Sequence, residues 1–202
     1  GTSALEKMGS AAQTVSDKAG GVQKAFAPVT KAIGVLGTAA IATVPATEEL
    51  RSDLSKLDQA ARDNAVGAET ARQAWEAFAV ASDETDSAVE ATANLLQAGF
   101  TESNLQKAVE GLTGAYLRFP DTLKIESLAD SLQETLATGE ATGQFAELLD
   151  RLGVNTERFA DQLANARTES ERQQVALDLL AKEGLPDTYA EWKKNNEALI
   201  EN

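Results

Sequence analysis

Residues 136–153 read LATGEATGQFAELLDRLG. Two glycines, Gly139 and Gly143, lie between two leucine-rich runs. A loop that cradles a phosphate and a joint between two helices both use glycine, yet they imply different folds. A phosphate loop has the form G-x-x-x-x-G-K-S/T after a strand, with the Lys reaching the phosphate. Here the spacing is too short, no Lys follows, and Glu140 and Glu147 would repel a phosphate at this helix N-terminus. The stretch reads instead as a helix joint. Gly139 takes the left-handed conformation that closes one helix, and Thr142 caps the next.

Apolar spacing on both sides of the joint is helical. Upstream, Ile125, Leu128, Leu132 and Leu136 form one stripe. Before it, TESNLQKAVEGLTGAYLRFP (101–120) places Leu105, Val109, Leu112, Tyr116 and Phe119 at i, i+4, i+7, i+11 and i+14. Ser103 with Gln106 is expected to form a capping box there, and Pro120 to close the helix. SDETDSAVEATANLLQAGF (82–100) starts with acids that suit a helix N-terminus, carries Val89, Leu95 and Leu96, and stops at Gly99. Earlier helices carry Trp75 and Phe78, and Leu50, Leu54, Leu57 and Ala61, the latter expected to end at Gly67. Downstream come Phe145, Leu148, Leu149 and Leu152, then Phe159 and Leu163. A capping box, Thr168 with Glu171, opens a helix with Val175, Leu179 and Leu180. After the stop at Gly184-Leu185-Pro186, a last helix holds Tyr189, Trp192 and Leu199. No segment alternates with period two, so no strand is expected. The fold class is all-α: a multi-helix globular bundle over residues 46–202, preceded by a low-complexity helical arm over residues 1–45.

The arm differs in charge from the rest. The chain carries −14, but its first 45 residues hold Lys7, Lys18, Lys24 and Lys31 against Glu6 and Asp17, leaving +2 there and −16 beyond. An acidic body disfavours general nucleic-acid binding and attachment to an anionic membrane. The uncharged run AIGVLGTAAIATVPAT (32–47) is too short and too rich in Gly and Thr to span a bilayer alone. It reads as a small-residue helix packed against something, or as a partner- or membrane-contacting segment. The start Gly1-Thr2-Ser3 lacks an initiator Met and is expected to be an excised piece with a residual tag glycine.

The residue inventory limits the chemistry. With no Cys and no His, disulfides, thiol catalysis, the usual zinc ligand sets and Ser-His-Asp triads are excluded. Glu126, Asp130 and Glu134 recur every four residues, as on a solvated helix face. Asp83, Glu84 and Asp86 lack the spacing of a calcium loop. Tyr116-Leu117-Arg118-Phe119 interleaves aromatics with a base, but Phe119 lies on the apolar stripe, which favours packing over nucleic-acid contact. No catalytic, cofactor-binding or metal-binding residue is assigned, and an enzyme is not expected.

Several of these segments resemble a known family. DETDSAVEATANLLQAGF and LQKAVEGLTGAYLRFPDTLKIESLADSLQETLATGEATGQFAELLDRLGVN resemble the amino-terminal region of phage tail tape measure proteins, also called minor tail proteins. LLAKEGLPDTYAEWKKNNEALI is similar to the same family. The resemblance runs from about Leu50 onward, and SLADSLQETLATGEATGQFAELL is its most specific part. It implies a structural virion protein of a long-tailed phage or prophage that sets tail length and leaves ahead of the genome. It further implies residence in the tail tube lumen and, during assembly, in the bacterial cytoplasm. Tail tube and tail-tip proteins, other tape measure copies and assembly chaperones would be the partners, without sequence-specific nucleic-acid binding. Membrane contact would come only through the full-length protein. A ruler is physically reasonable because a helix rises about 1.5 Å per residue.

A bacterial helical protein-binding or adhesion module is the alternative, and a helical muramidase using a Glu–Asp pair a third reading. The residues expected to make contacts are Ile33, Val35, Leu36, Ile41 and Val44. Replacing Leu36 and Ile41 together by Asp should disturb assembly and leave the melting curve of the bundle in place. Unfolding of the bundle would instead make those side chains core.

Overall fold

The computed structural model describes residues 48–196. Among them are nine helices and no strand: α1 Glu48–Asp63, α2 Ala68–Ser82, α3 Thr85–Gln97, α4 Glu102–Arg118, α5 Ile125–Thr138, α6 Gly143–Arg151, α7 Thr156–Asn165, α8 Glu169–Lys182 and α9 Leu185–Asn195. The all-α bundle read from the periodicity is what the described residues form. The arm, with Ile33, Val35, Leu36, Ile41 and Val44, lies outside the described residues, as does Leu199.

Two helices organise the bundle. α3 packs against α1, α2 and α5, while α4 packs against α2, α8 and, most extensively, α9. Trp75 and Phe78 of α2, with Leu95, Leu96, Leu105 and Leu112, are fully buried between these layers. Burial of each such side chain contributes on the order of 1.5–3 kcal/mol. The Trp75 indole nitrogen donates to the Thr85 carbonyl, 3.3 Å away, fixing the α2–α3 corner.

The middle of α4 is buried almost all round, which its single apolar stripe did not foretell. Ala108, Gly111, Thr113, Gly114 and Ala115 are buried along with Leu105, Val109 and Leu112. A Cβ built on Gly114 would stand 1.8 Å from the Leu185 carbonyl oxygen, and one on Gly111 would stand 2.8 Å from a Leu180 methyl. These glycines let the start of α9 and the flank of α8 rest directly on the α4 backbone. Glycine in a helix interior costs about 0.5–1 kcal/mol relative to Ala, so here that cost is exchanged for close approach.

The joint at Gly139 behaves as read. Gly139 has φ 83° and closes α5, its N–H donating to the Thr135 carbonyl at 2.8 Å. Thr142 occupies the N-cap position of α6, but its side chain does not cap. Its hydroxyl donates to the Glu134 carboxylate at 3.1 Å, and the Phe145 N–H is accepted by the Ser131 hydroxyl of α5 at 2.9 Å. Gly143, with φ 51°, sits so close to Ser131 that a Cβ would be 3.0 Å from the serine Cβ. The neighbouring helix therefore takes over the capping that a local reading assigned to Thr142.

Other helix ends divide in the same way. The Thr168 hydroxyl accepts from the Glu171 N–H at 3.1 Å, as expected of a capping box, while the Glu171 carboxylate reaches the Arg167 N–H. Ser103 makes no such box: α4 begins at Glu102, its N-cap is Thr101, and the Gln106 amide donates to Glu110. Glu102 instead turns to the start of α2, accepting from the Thr70 hydroxyl at 2.9 Å and the Gly67 N–H at 3.4 Å. A carboxylate is favoured there by the helix dipole. Gly67 opens α2 rather than ending α1, which stops at Asp63 through a turn with Ala65 at φ 55°. Asp83 is the left-handed C-cap of α2, so only Glu84 and Asp86 serve the start of α3.

Three polar side chains tie helices to the ends of others. Gln173 of α8 is buried and donates to the Ala98 carbonyl at the end of α3, 2.9 Å away. Arg172 donates to the Leu136 carbonyl near the end of α5. Arg118, at the end of α4, donates to the Glu183 carbonyl and to the Thr188 hydroxyl, spanning the turn between α8 and α9. Each supplies a partner to carbonyls that a helix end or turn leaves without one. Asp58 of α1 and Arg72 of α2 form a buried ion pair at 3.0 Å. The second Asp58 carboxylate oxygen is buried without a hydrogen-bond partner.

Gly114→Ala should cost about 3 kcal/mol in urea unfolding, because a backbone carbonyl occupies the new methyl's place. Gly139→Ala meets no neighbouring atom and should cost only the left-handed conformation, about 1 kcal/mol. Equal losses at the two sites would contradict the close approach of α9.

Candidate functional site

The residues first expected to make contacts lie outside the described region, so the candidate site is built from the body itself. Between α2, α4 and α9 there is a cleft of about 270 Å³. Ala74, Ala77 and Val109 supply apolar surface, and Tyr189 and Trp192 of α9 stand beside it. The two aromatic rings stack with centroids 6.2 Å apart and planes 19° from parallel. They are three residues apart on one helix face, and α9 is held in place by the Gly114 contact and by Arg118.

Two carboxylates enter this cleft, Glu76 from α2 and Glu110 from α4, with Lys193 as the lining cation. The Gln106 amide donates to Glu110 at 3.0 Å and orients it. Burial holds the Glu76 carboxyl above its ordinary value, helped by Glu69 and opposed by Lys193. Burial also raises the Tyr189 phenol, with Glu110 and then Glu76 adding to it. The cleft thus has an excess of negative charge beside apolar and aromatic surface. That chemistry suits a cation on an aliphatic stem, attracted by the carboxylates and by the aromatic faces.

A second hollow, about 570 Å³, lies between α7 and α8. Its lining balances Arg158 and Lys182 against Asp178 and Glu183, so it selects no charge. Among the described residues no cluster of three or more acidic side chains is arranged to hold a metal ion. Glu126, Asp130 and Glu134 lie along the outer face of α5, where Glu134 accepts from Thr142. The donors of Arg118 are engaged within the fold, and Phe119 is half-buried with the Arg151 guanidinium 5.6 Å above its ring. No described helix is long and apolar enough to cross a membrane.

Comparison with protein-family models, with curated proteins and with solved structures gave no match. The site therefore stands on its own chemistry. Tyr189 and Trp192 were read from the sequence only as residues of the last helix, with no site role. Glu76 and Glu110 were not: each is one acid among many, and only the packing of α2 against α4 brings them together.

Tyr116 and Tyr189 are the only tyrosines in the chain, and both are raised above the ordinary 10.0. For Tyr116 the causes are burial, then Glu84, Asp83 and Glu126. The folded state favours the neutral phenols, so their contribution to stability is present below pH 10 and is lost as pH rises through the folded values. Ultraviolet titration should show ionisation above 10.0 in the native protein and near it in denaturant. A native midpoint at or below 10.0 would contradict the burial of both rings.

Proposed function

We propose that this chain is an amino-terminal portion of a phage tail tape measure protein, a structural component that takes part in tail assembly, length determination and genome ejection. The supporting observation is the segment that carries the resemblance, residues 127–149. It folds as α5, the Gly139 joint and α6, locked by the Ser131–Phe145 and Thr135–Thr142 hydrogen bonds. A specific sequence thus coincides with a specific piece of architecture. On this reading the body is non-catalytic. Its partners are tail tube and tail-tip proteins, further tape measure copies and assembly chaperones, in the tail lumen and, before that, in the bacterial cytoplasm. Bent into short helices, the body is not itself the ruler; it would be a folded head on a longer helical chain. Its acidity has a use there, since a protein sharing a tube with DNA should not adhere to it.

The acidic aromatic cleft favours a second reading, a bacterial helical module that binds a cationic segment of another protein. The two part on where the chain resides. Mass spectrometry of purified tails, from particles of the phage or prophage whose genome carries this sequence, should recover its peptides at a few copies per tail. Their absence from intact tails would overturn the proposal. The purified chain should also show no micromolar binding to duplex DNA at about 0.1 M salt, where contacts to phosphate still hold for basic proteins. Clearing of cell walls in a turbidity assay, abolished by one Glu→Gln change, would instead establish an enzyme.

A further inference from the structure

The cleft between α2, α4 and α9 carries two carboxylates and a stacked aromatic pair, and its one lining cation is Lys193. Glu69 adds a third negative charge close to Glu76. Burial and Glu69 disfavour the ionised form of Glu76, and a cation placed beside it would favour that form, as Lys193 already does. The same chain carries the complementary charge. Residues 18–47 contain Lys18, Lys24 and Lys31 and no Asp or Glu, in a protein of net charge −14. Lys31 stands between Val29 and Ile33, giving an ammonium with apolar neighbours, which matches carboxylates over Ala74, Ala77 and Val109.

Chain length permits the contact. Eleven residues, 37–47, separate the Lys31 segment from the start of α1. They can span at most about 36–40 Å. A folded body of this size has a radius of gyration of about 15 Å. A tether of that length reaches across a large part of such a body's surface.

We propose that this cleft is the docking site for residues 22–36 of the same chain, with the Lys31 ammonium between Glu76 and Glu110 and the flanking apolar residues against Tyr189 and Trp192. The interaction is intramolecular, and it does not depend on the tail assignment. It gives the body one occupant whose charge it matches, and it makes the basic run a ligand that a competing lysine-bearing partner would have to displace.

The absence of native cysteine makes a direct test available. A nitroxide spin label on Ile33→Cys in the full chain should broaden the Trp192 indole N–H and the Gln73 and Gln106 amide signals in NMR spectra. The broadening should vanish in the same labelled chain carrying Glu76→Gln with Glu110→Gln, or Lys31→Glu, while helicity by circular dichroism stays unchanged. Lys7→Glu, whose lysine neighbours Glu6, should leave it in place. Unbroadened cleft signals in the labelled parent chain would overturn the proposal. So would broadening that survives Lys31→Glu, or that appears when isotope-labelled chain without the nitroxide is mixed with spin-labelled chain at natural abundance, since that contact would come from a second copy. Failure of this test leaves the presence of the chain in tails to be decided separately.

Discussion

The contact between Gly114 and the Leu185 carbonyl sets where α9 sits on α4. A hydrogen at this one position lets α9 begin directly on the backbone of α4. From that seat α9 projects Tyr189 and Trp192 over α2 and α4, and the acidic cleft follows. Gly111 does the same for α8 through Leu180. Interiors are packed densely enough that one added methyl is felt, and here it would meet backbone, which cannot rotate away. A helix with poor intrinsic propensity at two positions is thereby the one that α8 and α9 rest upon.

Around that seat, side chains from one helix complete the ends of others. Gln173, Arg172 and Arg118 each donate to a carbonyl more than thirty residues away in sequence. Ser131 accepts from the first turn of α6. Because these partners are distant, those helix ends are satisfied only when the tertiary structure is in place. That couples formation of individual helices to formation of the whole, and favours cooperative folding.

The same coupling explains what could be read in advance. Apolar spacing locates the helices, since burial of one stripe is a local pattern. Gly139 and the Thr168–Glu171 pair are local too, and both act as their sequence implies. Ser103, Thr142 and Gly67 did not: the N-cap of α4 is Thr101, Ser131 serves the first turn of α6, and α1 stops before the turn at Ala65. Small residues were the larger omission. Gly111 and Gly114 look neutral in a hydropathy pattern, yet they mark where other helices come closest. The candidate cleft was not read from the sequence: its aromatics appeared only as residues of the last helix, and its carboxylates are two of 32 acidic residues, so nothing in the sequence singles them out.

The Asp58–Arg72 pair has a mechanical meaning. α1 begins at Glu48, so a pull on the residues directly before it enters the body through this helix. It holds to its neighbours by Leu54, Leu57 and Ala61, with this ion pair between it and α2. Apolar contacts yield gradually as a helix is drawn sideways, but parting a buried ion pair strands two charges where water is scarce. Tension along the chain would thus meet its steepest resistance early, before much surface is exposed. The body would behave under load as a brittle anchor, holding its shape up to a threshold and then releasing α1 as a unit.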